Sequence, residues 1–168
     1  MIIVREGDTQ GEFPFPQASN EAESPPTSKR SVKHMVKVIM GVKGTGKTKQ
    51  LIELVNQAIA EDKGDVVVIE KDQKLTYDIP YKARLIFANQ FFFDSFTYLK
   101  GFISGLHAGN YDITHVFIDS LYKIVGTEDG VEDFLAWLDD YGKSAGIEFT
   151  ITISADVALA TDGIKKFF

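Results

Sequence analysis

The sequence predicts an α/β fold: a three-layer α/β/α sandwich around a mostly parallel sheet of about five strands. Three observations carry this expectation. From Val36 onward, short apolar runs alternate with amphipathic, helix-length segments, the pattern of a parallel sheet with helices on its faces. The run Val66–Ile69 is apolar at every position, as a strand buried on both sides must be. The first strand leads through a glycine-rich turn into an amphipathic helix.

The elements follow in order. Val36–Met40 reads as the first strand. Thr48 to Asp62 reads as a helix, because Leu51, Ile52, Val55, Ala58 and Ile59 recur at helical spacing and Gly64 is placed to end it. Val66–Ile69 is the second strand and Leu85–Ala88 a weaker third. Asp94 is placed to cap a helix whose inner face carries Phe96, Leu99, Phe102, Ile103 and Leu106. Val116–Ile118 is the next strand, Val131–Tyr141 a helix with Phe134, Leu135 and Leu138 on one side, and Glu148–Ser154 the last strand. Val157–Phe168 is expected to close the fold with a short helix.

The chain has 168 residues and 44% hydrophobic content, enough for a buried core. Four of its five prolines (Pro14, Pro16, Pro25, Pro26) lie in residues 1–34 among Ser, Glu, Gln and Asn. That composition buries too little apolar surface to offset its ordering entropy, so 1–34 reads as a flexible polar tail and 35–168 as the domain. Met35, directly before the first strand, reads as the start of a shorter version of the same domain. No cysteine is present, which excludes disulfides and thiolate zinc sites and fits a cytoplasmic location. No apolar run reaches the ~18 residues of a membrane helix. The net charge of −6 gives no reason to expect nucleic acid as a partner.

The chemistry is concentrated after the first strand. Gly41-Val42-Lys43-Gly44-Thr45-Gly46-Lys47-Thr48 matches G-x-x-x-x-G-K-[ST] in full, the P-loop pattern. Glycines let the backbone close around a phosphate, and successive N–H groups form an anion nest. The following helix adds the positive end of its dipole. In this pattern Lys47 reaches the β- and γ-phosphates and the Thr48 hydroxyl ligates magnesium. The strand before and the amphipathic helix after supply the context the pattern needs. A magnesium site also needs a carboxylate at the end of a nearby strand, and His115-Val116-Phe117-Ile118-Asp119 offers Asp119. His115, at the start of that strand, reads as structural.

On these residues the span from Val36 to Ala155 resembles the RecA-like branch of P-loop NTPases. The resemblance implies a further strand between the P-loop strand and the magnesium-aspartate strand, with Val66–Ile69 and Leu85–Ala88 as candidates. Recombinase-type members carry Asp-Ser after the magnesium strand, as Asp119-Ser120 does here, and take the catalytic glutamate from the end of the second strand. Glu70 and Asp72 are therefore the candidates to orient an attacking water. Ser120 stands where helicase and AAA-type members have Glu, so the resemblance implies slow hydrolysis. The P-loop and the Leu51-Ile52 that follows also resemble thymidine kinase, but those enzymes bind zinc through cysteines and continue with a base-binding loop. Pilus and secretion motors would need a second domain that a polar tail cannot supply.

The RecA-like resemblance implies that a polar residue ending the strand beside the P-loop senses the γ-phosphate. Ser154, last of the alternating Thr150, Thr152 and Ser154, is the best placed, the alternative being a Thr-rich strand face packed against a helix. Phe91-Phe92-Phe93, Phe96 and Tyr98 form an aromatic cluster read mainly as core, with one or two of the consecutive phenylalanines exposed. Arg84, the one arginine of the domain body, starts a strand and reads as a solvated charge. The expected function is magnesium-dependent ATP binding with slow hydrolysis, ATP being favoured because the GTP-specific N-K-x-D sequence is absent. The alternatives are a nucleotide-gated module that regulates a protein partner with little turnover, and a nucleoside-type kinase.

Overall fold

The structure, a computed structural model, describes residues 33–168. The expected tail, 1–34, lies outside the described residues apart from Lys33 and His34. Five strands form one sheet in the order β1-β5-β4-β2-β3, and every pairing is parallel. They are β1 (Val36–Gly41), β2 (Asp65–Glu70), β3 (Ala83–Phe87), β4 (Ile113–Ile118) and β5 (Glu148–Ser154). The helices are α1 (Lys47–Glu61), α2 (Phe96–Gly109), α3 (Leu121–Val125), α4 (Val131–Ala145) and α5 (Asp162–Lys165).

Strand alternation divides the core into two layers. Val66 and Val68 of β2 and Phe117 of β4 face α1, where they meet Leu51, Val55 and Ala58. Val67, Ile69, Val116, Ile118, Ile151 and Ile153 face the opposite way, onto α2, α3 and α4 through Leu99, Ile103, Leu121, Phe134, Leu135 and Leu138. The α/β/α sandwich expected from the sequence therefore forms, with one helix on one face and the remainder on the other.

Three details differ from the sequence reading. Ser95, not Asp94, caps α2, its Oγ accepting from Tyr98 N at 3.4 Å. The strand between the P-loop strand and the Asp119 strand is β5, not β2 or β3; chain order cannot reveal that, because the last strand inserts inside the sheet. The five-residue α3 was not expected, since one short turn of apolar residues carries no helical period. It forms because Leu121, Ile124 and Val125 bury together against the core.

This order leaves β1 at a sheet edge. Val38 N of β1 donates to the carbonyl of Phe167 at 2.7 Å, so the C-terminal segment covers part of that edge. At the start of β1, Met35 N donates to Asp139 Oδ1 at 2.6 Å, and His34 Nδ1 lies 2.9 Å from Asp139 Oδ2. The aromatic cluster splits: Phe91 and Phe93 pack on Phe102 with ring centroids 5.0 and 4.9 Å away, Phe96 meets Phe134 at 4.9 Å, and Phe92 is exposed at φ 51°. His115 sits 3.8 Å from Glu148 across the β4–β5 pair.

Because all five strands run the same way, their C-terminal ends share one edge of the sheet. Gly41, Glu70, Ile118 and Ser154 end β1, β2, β4 and β5 there. In open parallel sheets, that edge is where ligands bind.

Candidate functional site

The P-loop is built around the carbonyl of Val42. It accepts from Thr45 N at 3.4 Å, Thr45 Oγ1 at 2.9 Å and Lys47 Nζ at 2.8 Å, which draws the loop into a ring. Gly41 must be glycine, because a Cβ there would meet Thr45 Oγ1 at 2.6 Å. Gly46 sits at φ 82° in the left-handed region and is the N-cap of α1. Having no side chain, it offers nothing to the N–H groups of the first turn. Those donors, at the positive end of a 15-residue helix, suit an anion. Lys47 is buried with its ammonium turned into the loop.

The second half of the site is a hydrogen-bond cluster on Asp119. Thr48 Oγ1, on the first turn of α1, donates to Asp119 Oδ1 at 3.1 Å. Thr152 Oγ1, on β5, donates to the same oxygen at 2.9 Å, and Ser120 Oγ donates to Asp119 Oδ2 at 3.0 Å. The backbone is held as firmly. Asp119 N donates to Ile69 O of β2 at 2.9 Å, and Ser120 N donates to Thr152 Oγ1 at 2.7 Å. Ser120 adopts φ 57°, ψ 53°, a left-handed conformation that a side chain disfavours by about 1–3 kcal/mol. The turn is fixed in that conformation by β2 on one side and β5 on the other.

A hydroxyl and a carboxylate 3.1 Å apart are hard oxygen donors of the kind that magnesium takes. Among the described residues no group of three or more His, Cys, Asp or Glu side chains converges into a metal cage. A magnesium ion at Thr48 and Asp119 would therefore take its remaining oxygens from water and from a bound phosphate, as this ion commonly does.

Glu70, at the end of β2, is buried, and its carboxylate faces inward to the following loop. Oε1 accepts from Leu75 N at 3.0 Å and Oε2 from Lys74 N at 3.0 Å. Burial raises its pKa above the ordinary carboxylate value. The two N–H bonds oppose that rise, and the charges of Asp119 and Asp72 add to it. Asp72 falls beyond the end of the strand, where its side chain is half exposed and lies 3.7 Å from Lys74 Nζ.

Two adjoining clefts run along this edge. One, of about 330 Å³, is lined by Lys43, Gly44, Gly46, Lys47, Thr48, Ser120, Lys123 and Ser154. The other, of about 140 Å³, is lined by Glu70, Lys71, Asp72, Lys74, Leu75 and Asp119, and again by Thr48, Ser120 and Lys123. The structure thus brings together most of the candidates named from sequence. Ser154 reaches the first cleft because it stands in register with Gly41 on the neighbouring strand. The Val42 side chain is the exception: it is exposed, and only its carbonyl takes part in the loop. A larger cleft, about 450 Å³, lies between the start of α4 and the C-terminal segment. Its lining includes Glu128, Asp129, Glu132 and Asp133, carboxylates that repel a polyphosphate.

Sequence reasoning missed the parts played by Thr152 and Lys123. The alternation of Thr150, Thr152 and Ser154 put Thr152 on the right face, but only the position of β5 beside β4 shows which of the three meets Asp119. Lys123 belongs to the helix that the sequence did not reveal.

No protein-family model matches the chain. No curated protein is significantly similar to it in sequence. Among solved structures that resemble it is the monomer form of the pCW3 conjugation coupling protein TcpA with ATPγS, at 18% identity and a TM-score of 0.33, over 77% of this chain and 46% of that one. The chain thus spans about half the length of that protein.

Proposed function

We propose that this chain binds ATP with magnesium and hydrolyses it slowly. One arrangement carries the reading: the Gly41–Thr48 loop closes beside Lys47 and opens a helix whose Thr48 hydroxyl lies 3.1 Å from Asp119. The loop N–H groups and Lys47 hold the β- and γ-phosphates. Thr48 and Asp119 hold the ion, Asp119 through water, and the bound ion offsets phosphate charge. Thr152 and Ser120 keep the Asp119 carboxylate aimed at that position. Ser154, at the end of β5, faces the terminal phosphate. This reading also places the chain in the RecA-like branch, supported by the strand inserted between β1 and β4.

For turnover, Glu70 and Asp72 are the candidates to orient water, a reading supported by their both bordering the smaller cleft next to Thr48 and Asp119. A specific observation favours a second reading, a nucleotide-gated binding module for a protein partner. Both oxygens of Glu70 accept backbone N–H groups, a task that fixes the loop after β2 and competes with activating water. Measuring ADP formation with water alone and with small hydroxyl acceptors, and analysing where the phosphoryl group ends, tests the choice. Slow ADP formation with free phosphate in water alone supports the ATPase, ADP formation only with an acceptor that becomes phosphorylated supports a kinase, and tight binding with no ADP formed supports the module. Failure to bind ATP with magnesium overturns the proposal.

A further inference from the structure

Lys123 stands where the two clefts meet. It lines the one that holds the P-loop residues and the one that holds Asp119 and Glu70, and among the described residues Thr48 and Ser120 are the only others that line both. The helix that carries it is anchored. Leu121, Ile124 and Val125 are buried, Lys123 N donates to Ser120 O at 2.9 Å, and the Lys123 carbonyl accepts from Lys71 Nζ on the loop after β2. The backbone of Lys123 is thus fixed from two sides while its side chain is exposed over the clefts.

Its charge has no evident structural use. Among the described residues the ion pairs join other groups, and none includes Lys123. The domain body offers no competing guanidinium, since Arg84 lies on the edge strand β3 and lines a separate cleft with Phe102 and Leu106. Lys43 also borders the P-loop cleft, but not the one beside Asp119, while Lys71 and Lys74 border the one beside Asp119 but not the P-loop cleft.

We infer that Lys123 is a second phosphate-binding cation, supplied by the chain itself, which contacts the terminal phosphate of a nucleotide seated in the P-loop. The inference rests on the nucleotide reading above and deepens it. Lys47 approaches the phosphates from the loop, and Lys123 approaches from the Asp119 side, where the γ-phosphate lies next to the ion. A diphosphate has no γ-phosphate for it to meet. The contact therefore distinguishes triphosphate from diphosphate. The same α3 is tied by Ser120 to Asp119 and by the Lys123 carbonyl to the loop after β2, so engagement of the γ-phosphate bears on both.

The test compares affinities of the full chain for ATPγS and ADP, each with magnesium, by calorimetry. Lys123→Ala is expected to weaken ATPγS binding tenfold or more and to change ADP binding less than twofold. Lys123→Arg should retain most of the ATPγS affinity, and Lys43→Ala should alter the two nucleotides alike. The residue is exposed, so the fold should survive, and circular dichroism checks it. Equal loss for both nucleotides, or no loss for either, overturns the assignment while leaving the nucleotide site standing. If the unaltered chain binds neither nucleotide, both readings fail together.

Discussion

Thr152 Oγ1 lies 2.9 Å from Asp119 Oδ1 and donates to it, so the strand inserted next to β1 holds the carboxylate at the end of β4. The same hydroxyl accepts from Ser120 N at 2.7 Å. Thr152 is fully buried, and its neighbours on β5, Ile151 and Ile153, face the opposite core layer. One hydroxyl thus links the P-loop side of the sheet to the Asp119 side.

Thr152→Val keeps shape and removes this link. Ser120 N–H, which is half-buried, then loses its acceptor, and the lost bond costs about 1 kcal/mol. Urea denaturation should show a loss of that size, and calorimetry should show weaker ATP binding in the presence of magnesium. Thr152→Ser, which restores the hydroxyl, should recover most of both. A valine variant as stable as the parent would show that the link is incidental.

Asp119→Asn keeps the size of the side chain and an oxygen to accept from Thr48, and removes the charge. ATP affinity with magnesium should fall more than ATP affinity in excess chelator. Equal losses under both conditions would assign Asp119 to structure alone.

Asp139 offers a pH test of how the start of β1 is held. Burial would raise its carboxyl, but bonds from Lys143 at 2.6 Å, from His34 and from Met35 N outweigh that and lower its pKa below the ordinary 3.8. The unfolded chain therefore takes up the proton first as pH falls. The stabilisation is fully present above the ordinary value and is lost as pH drops through the lowered, folded-state value. Asp139→Asn should cost about 1–3 kcal/mol at neutral pH, because hydrogen bonds to a buried charge are lost. It should also flatten the acid limb of a stability–pH curve in that window. An unchanged acid limb would contradict the assignment.

Glu70→Gln and Asp72→Asn separate structure from turnover. In Glu70→Gln an amide nitrogen faces a backbone N–H where a carboxylate oxygen accepted one, so about 1 kcal/mol of stability should go. Asp72→Asn removes an exposed pair at 3.7 Å and should leave stability unchanged. If one of them orients water, its variant should lower the rate of phosphate release tenfold or more, about 1.4 kcal/mol in the barrier, with ATP affinity retained. Identical near-zero rates in parent and variants, with ATP bound, would favour the binding module.

Much of this arrangement is legible in the sequence. Val66–Ile69 announces a strand because its apolar run has nowhere else to go, Glu148–Ser154 because apolar Phe149, Ile151 and Ile153 alternate with polar residues, and Gly41–Thr48 carries its turn from strand to helix in its spacing. Asp119 was legible for the same reason, as a carboxylate at the end of a buried run. What could not be read depends on lateral order. Whether β2, β3 or β5 lies beside β1 is decided by how three apolar strands of similar length pack, and no local pattern encodes it. The role of Thr152 follows from that order. Lys123 was hidden because α3 is a single turn, nucleated by burial of Leu121, Ile124 and Val125 and not by any periodic signal.

The central claim is that the Gly41–Thr48 loop holds nucleotide phosphates, and Lys47 tests it most directly. Its ammonium now bonds the Val42 carbonyl at 2.8 Å, a neutral partner that a phosphate oxygen can replace with a stronger, charge-assisted bond. Calorimetric titration of ATP with magnesium into the parent chain should show one site. Lys47→Ala, confirmed folded by circular dichroism, should bind about 1–3 kcal/mol more weakly, roughly five- to 150-fold in dissociation constant. A folded Lys47→Ala chain that binds ATP as tightly as the parent would contradict the account.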